Sequence, residues 1–225
     1  CCWPTGRRHC CTALRLQPPF SLDGLPTLDR IVRDKYRFAV SRFRDRANDP
    51  GFEMYPDYVE GTHYVMGWCG QAGALGGALL RLAARLDDTN AISRAVRSMN
   101  HLATAPFNDH GFLLKYTAES GRWSDQDHVS QGQAMENFAR AILAARDRGG
   151  IDTSTWETFL QRACALHADR ILRDDWRPVS TAEAFYVSPL CKASQLFDNA
   201  GFRRAAVKAA EHYAHRHLDM QEPHW

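Results

Sequence analysis

Between Arg122 and Phe138 the chain reads RWSDQDHVSQGQAMENF. An indole, two carboxylates, an imidazole and three amides run without a break into an apolar helix. Such groups held against a buried helix start cost free energy unless they meet a ligand or each other. Together they predict the floor of a polar site. Asp125 and Asp127 are the first candidates for acid/base work. Cleaving a glycosidic bond takes two flanking carboxyl groups, ~5 Å apart for retention or ~6.5–9.5 Å for inversion. Two neighbours on one loop do not face each other across a sugar, so a pair from separate loops is expected: Asp127 as the acid, with Glu60 or Asp57. The competing reading is that Asp125 and Asp127 simply cap the helix beginning at Val129.

His63 and His128 each stand just before an apolar helix. They suit recognition of hydroxyls, or proton transfer of the kind an epimerase or lyase needs; the alternative is a hydrogen-bonded imidazole at a helix start. Trp68, Trp123, Trp176 and Tyr186 suit stacking on the apolar face of a pyranose, or burial in the core. Gln71, Gln131 and Gln133 are placed to bond sugar hydroxyls or neighbouring loops. Glu136, one turn deeper than Gln133, is expected to be buried with a raised pKa, and is a further candidate acid. No phosphate-cradling glycine loop, HExxH or GxSxG is present. No metal and no cofactor is expected.

A repeating helical pattern must position these side chains. Leu28, Ile31, Val32, Tyr36, Ala39, Val40 and Phe43 recur at helical spacing, up to the breaker Asn48-Asp49-Pro50-Gly51. Tyr64 to Leu86, with five glycines, is apolar on more than one side and reads as a buried helix. An amphipathic helix, Asn90–Ala103, and a long loop, Pro106–Asp127, lead to a second buried helix, Val129–Ala145, stopped by Gly149-Gly150. Asp152 caps the next amphipathic helix, which ends near Asp174-Asp175. Trp176–Ser188 is again a loop, Pro189–Phe197 a short apolar helix and Phe202–Leu218 a last amphipathic one. The class expected is all-α, with a short hairpin near Gly111–Trp123. Gly70-Gln71-Ala72 and Gly132-Gln133-Ala134 open the first two buried helices, about 62 positions apart. A further step reaches Gln195 in the third. Each unit is thus an outer helix, a long loop and an inner helix. The loops gather Glu60, His63 and Trp68, then Trp123, Asp125, Asp127 and His128, then Trp176, Glu183 and Tyr186, around one mouth at the positive ends of the inner helices.

This hairpin period, the GQA openings and the acidic-aromatic loops make residues 28–225 resemble the six-hairpin glycosidase superfamily. The resemblance implies an (α/α)6 toroid and a glycoside hydrolase-like enzyme acting on an oligosaccharide by carboxylate acid/base catalysis. Relatives that are sugar epimerases or polysaccharide lyases imply the alternative, proton transfer by His63, His128 or Tyr186. A non-catalytic helical-repeat scaffold is the other alternative. Six hairpins of ~60 residues need ~350 residues, and about three and a half are present, so an incomplete toroid is expected. Gly67-Trp68-Cys69-Gly70-Gln71-Ala72-Gly73 is also similar to an inner-helix opening of lanthionine-synthetase cyclases, whose zinc is held by two Cys and a His. Here Cys191 is followed by Lys192 where those proteins have the His, and Cys69 reads as a small buried hydrophobe.

A hydrophobic share of 44% supports a sizeable core, and a net charge of +2 gives no reason to expect nucleic acid or anionic membrane as the main partner. No apolar run approaches the ~20 residues that span a bilayer. A carbohydrate is the partner expected. Residues 1–24 read as an irregular leader before a domain at 25–225: the start lacks periodicity and the apolar region of a signal peptide. Its CC pairs are poorly spaced for a tetrahedral zinc, and seven cysteines do not form a disulfide framework in 225 residues.

Overall fold

The computed structural model describes residues 23–54, 60–67, 72–86, 88–178 and 181–218. The chain divides into two compact units, Cys1–Lys35 and Tyr36–Trp225. Helix α1 (Leu28–Ser41) begins in the first and runs past its boundary; it starts after Thr27, whose hydroxyl oxygen accepts the Arg30 N–H at 3.3 Å. All that follows concerns the second unit.

Among the described residues the chain is mostly helical, with seven α-helices and three small sheets. After α1 come α2 (Ala72–Leu86), α3 (Thr89–Leu102), α4 (His128–Arg148), α5 (Ser154–Leu172), α6 (Val187–Leu196) and α7 (Ala200–Leu218), with a 3-10 turn, Thr181–Tyr186, leading into α6. Local chemistry sets several of these ends. Asp88 caps α3 by accepting the Ala91 N–H at 3.0 Å, and α4 stops at Gly149, whose φ of 76° suits glycine.

The helices pack in two rows. In one, α2 lies against α4 and α4 against α6; in the other, α5 lies against α7, with a lesser contact between α3 and α5. Hairpin partners α2–α3, α4–α5 and α6–α7 join the rows. The buried stripes explain this. Ala91, Ala95, Met99 and Leu102 line one face of α3, while α4 is buried on most sides through Ala134, Met135, Phe138, Ala139, Ala141, Ile142 and Ala145. Each fully buried Leu or Phe contributes roughly 1.5–3 kcal/mol. Phe138 stacks on Phe159 of α5 with ring centres 4.4 Å apart, and Phe112 meets the same ring at 4.9 Å. Gly76 allows α2 and α3 to approach closely, since a Cβ there would lie 2.5 Å from the Met99 sulfur.

The all-α expectation holds only roughly. Strands β1 (Phe43–Arg44), β2 (Gly51–Phe52), β3 (His63–Val65), β4 (Phe107–Asn108), β5 (Gly111–Phe112), β6 (Lys115–Thr117) and β7 (Arg122–Ser124) form three antiparallel sheets. The hairpin expected near Gly111–Trp123 is present as β6–β7, but β3 takes Tyr64 and Val65, which the periodicity assigned to a helix. Strands of two or three residues are too short to show alternation. Among the described residues no helix is long and apolar enough to cross a membrane.

Candidate functional site

The sheet β3-β6-β7 stitches together the loops that precede α2 and α4. Its register places His63, Thr117 and Arg122 at one end and Val65, Lys115 and Ser124 at the other. Glu60 therefore leaves by the first end, and Asp125 and Asp127 by the second. Glu60 and Asp127 thus leave the sheet by opposite ends. Asp57, the other partner considered for Asp127, lies outside the described residues, as do Trp68, Cys69 and Gln71. Asp127 is exposed and caps α4, its carboxylate accepting the Ser130 N–H at 2.7 Å. Asp125 sits at a φ of 61° and pairs with Lys115 at 3.7 Å.

His63 is buried, and both its ring nitrogens are engaged: Nδ1 with the Thr117 hydroxyl at 3.0 Å, and Nε2 with the Glu60 carbonyl at 2.8 Å. It holds the loop to the sheet. Trp123 is half-buried, 5.7 Å from His101 in a stacked arrangement and tilted against Tyr116. Gln131 is buried, and its amide donates to the carbonyls of His110 and Phe112. Of its two expected roles, bonding the neighbouring loop is the one realised.

His128 differs from all of these. It opens α4, remains accessible, and places Nδ1 3.0 Å from the hydroxyl of Tyr186, which is fully buried behind it. Gly132 makes this approach possible, because a Cβ there would lie 2.7 Å from Phe185 Cβ and 2.9 Å from Phe185 backbone. Desolvation lowers the His128 pKa, Arg170 lowers it further, and Glu183 and Asp127 pull the other way. Below its ordinary value near 6.5, the ring is neutral at pH 7. Desolvation likewise raises the Tyr186 pKa, so the phenol keeps its proton. With Nδ1 directed to Tyr186, Nε2 has no hydrogen bond among the described residues.

A buried network backs this pair. Glu183 accepts from Arg170 at 2.7 Å and from the Trp176 indole at 2.8 Å. Trp176 is buried, with its N–H committed to that carboxylate, so it serves the network and offers no sugar platform. His167 stacks on Tyr186 with ring centres 4.1 Å apart. It is fully buried, neither ring nitrogen has a partner among the described residues, and burial pushes its pKa down to about 3. Sequence reasoning missed His167 and Arg170. The available signal was a histidine on the buried face of α5, four positions after Ala163 and four before Ile171, with an arginine three positions on.

Glu136 and Gln133 line a neighbouring cavity of about 400 Å³ with Arg140, Phe185 and Ser188. The expected rise in the Glu136 pKa is reversed. Burial does raise it, but bonds from Lys192, Arg140 and Ser188 outweigh burial and lower it. An acid held ionised in this way is no proton donor at pH 7. Among the described residues no three His, Cys, Asp or Glu side chains converge as a metal site would require. No family model matches this chain, and comparison with curated proteins returned no match.

Proposed function

We propose that this chain is part of an (α/α) toroid that acts on a carbohydrate by proton transfer at His128, as a sugar epimerase or polysaccharide lyase does. The observation that carries the reading is the accessible His128 ring held from behind by the buried Tyr186 hydroxyl at 3.0 Å. In the tautomer proposed, the neutral imidazole donates Nδ1–H to the phenol oxygen, which leaves the lone pair at Nε2. That lone pair removes a proton from carbon next to a carbonyl or carboxylate, the first step of both reactions. Two of the nearby carboxylates are otherwise engaged, Glu183 with Arg170 and Trp176, and Glu136 with Arg140 and Lys192. The two rows of helical hairpins favour the toroid, and the carbohydrate class rests on the resemblance of the hairpin period and inner-helix openings.

Glycoside hydrolysis is the second reading, favoured by the exposed Asp127 carboxylate beside His128. Substitution separates the two. Asn caps a helix about as well as Asp, so Asp127→Asn removes the acid and spares the helix. The test follows deuterium uptake at sugar carbon in D2O, unsaturated uronyl products and aryl-glycoside cleavage, for the native protein, His128→Gln and Asp127→Asn. Exchange or elimination lost in His128→Gln and kept in Asp127→Asn supports proton abstraction. The opposite pattern, with glycoside cleavage, establishes the hydrolase. No turnover and no sugar binding by a folded chain overturns both and leaves the helical-repeat scaffold.

A further inference from the structure

A larger cavity, of about 560 Å³, opens on the row of α2, α4 and α6, lined in part by Ala74, Gly77 and Arg81 of α2, Asn137 and Arg140 of α4, and Lys192 of α6. We propose that this cavity binds an oxyanion, the carboxylate or phosphate of a small ligand, between Arg81, Arg140 and Lys192. Three cations from three helices face one space. The carboxylate beside them is Glu136, 2.7 Å from Arg140 and 2.9 Å from Lys192. Arg81 has no ion-pair partner among the described residues. Among the described residues, three positive charges against one negative leave two in excess, and like charges gathered around one cavity repel until an anion enters. The small side chains of α2 keep the space open, and its volume is typical of small-molecule sites, ~300–1,000 Å³. Guanidinium forks bind carboxylate and phosphate through two parallel hydrogen bonds. Arg140 lies twelve residues along α4 from His128, about 18 Å at ~1.5 Å per residue, so this site stands independently of the proton-transfer reading.

Calorimetric titration of the full chain with inorganic phosphate and with glucuronate tests the proposal, with glucose as the neutral control. Saturable binding of either anion, absent for glucose, is expected. Which anion binds more tightly distinguishes a phosphate-bearing ligand from a carboxylate-bearing one. Arg81→Gln and Arg140→Gln each weaken binding at least ~10-fold, and Arg81→Lys, which keeps the charge and loses the fork, weakens it less. Arg148→Gln, at the exposed end of α4, leaves it unchanged. No saturable binding of either anion overturns the proposal. So does equal weakening by Arg148→Gln and Arg81→Gln, which would mark general electrostatic attraction. The readout is binding, so failure here leaves the role of His128 untouched.

Discussion

His63 and His128 both precede or open an inner helix in successive hairpins, yet they differ in the contacts that bear on chemistry. His63 lies in a strand, buried, with one nitrogen on a hydroxyl and the other on a carbonyl. His128 lies on a helix start, accessible, with one nitrogen on a buried phenol. An imidazole with both nitrogens engaged can neither accept nor deliver a proton without breaking a bond that holds the fold. An imidazole with one nitrogen engaged is oriented by that bond and keeps the other for a ligand. Residue type is shared; the local structure and the partners are not.

The largest effect that would break this contrast is on turnover. His128→Gln is expected to lower the rate by ~10²–10⁴-fold, the usual contribution of a positioned acid or base, with stability little changed. His63→Gln is expected to keep the rate within a few-fold and cost about 1–3 kcal/mol in urea unfolding, because the Thr117 hydroxyl and Glu60 carbonyl lose their partners. Equal rate losses would erase the distinction.

Acid sharpens it next. Folded His167 takes a proton only near pH 3, whereas an unfolded imidazole takes one near 6.5. The unfolded state thus binds more protons between those values. Stability is full above pH 6.5 and falls as the pH drops toward 3, by at most ~1.4 kcal/mol per pH unit from this group. His167→Phe keeps a ring against Tyr186 and should flatten that limb in unfolding curves at pH 4–6.5. The buried His101, whose pKa desolvation also lowers, should retain part of the slope.

Smaller effects follow at the start of α4. Gly132→Ala pushes a methyl into Phe185 and should cost about 1–3 kcal/mol. It should also weaken the His128–Tyr186 bond, seen as a change in the His128 imidazole shift by NMR, while the His63 signal stays in place. Asp127→Ala removes the cap and should cost ~1 kcal/mol, with Asp127→Asn near native in the same denaturation assay.

Much of the helical framework was legible in the chain. The amphipathic stripe predicted over Asn90–Ala103 is found at Thr89–Leu102, and the inner helix over Val129–Ala145 at His128–Arg148. Asp127 was readable as a cap from its place before an apolar run. The start of α2 was misjudged because Tyr64 and Val65 fit an apolar helix pattern equally well, and only pairing with Tyr116 and Lys115 makes them strand. Trp176 and Glu136 were misread for a related reason. The Trp176 indole looks available until its partner Glu183 is known, and a buried Glu136 looks protonated until Lys192 is known to pair with it.

By itself, then, the sequence determined where helices run, which faces are apolar and which residues cap them, since those properties depend on neighbours three or four positions away. Only the tertiary structure decided which histidine is accessible and which is buried. Thr117 lies 54 positions from His63 and Tyr186 lies 58 from His128. Chain closure over such distances brings hydrogen-bond partners together, and no local spacing encodes it.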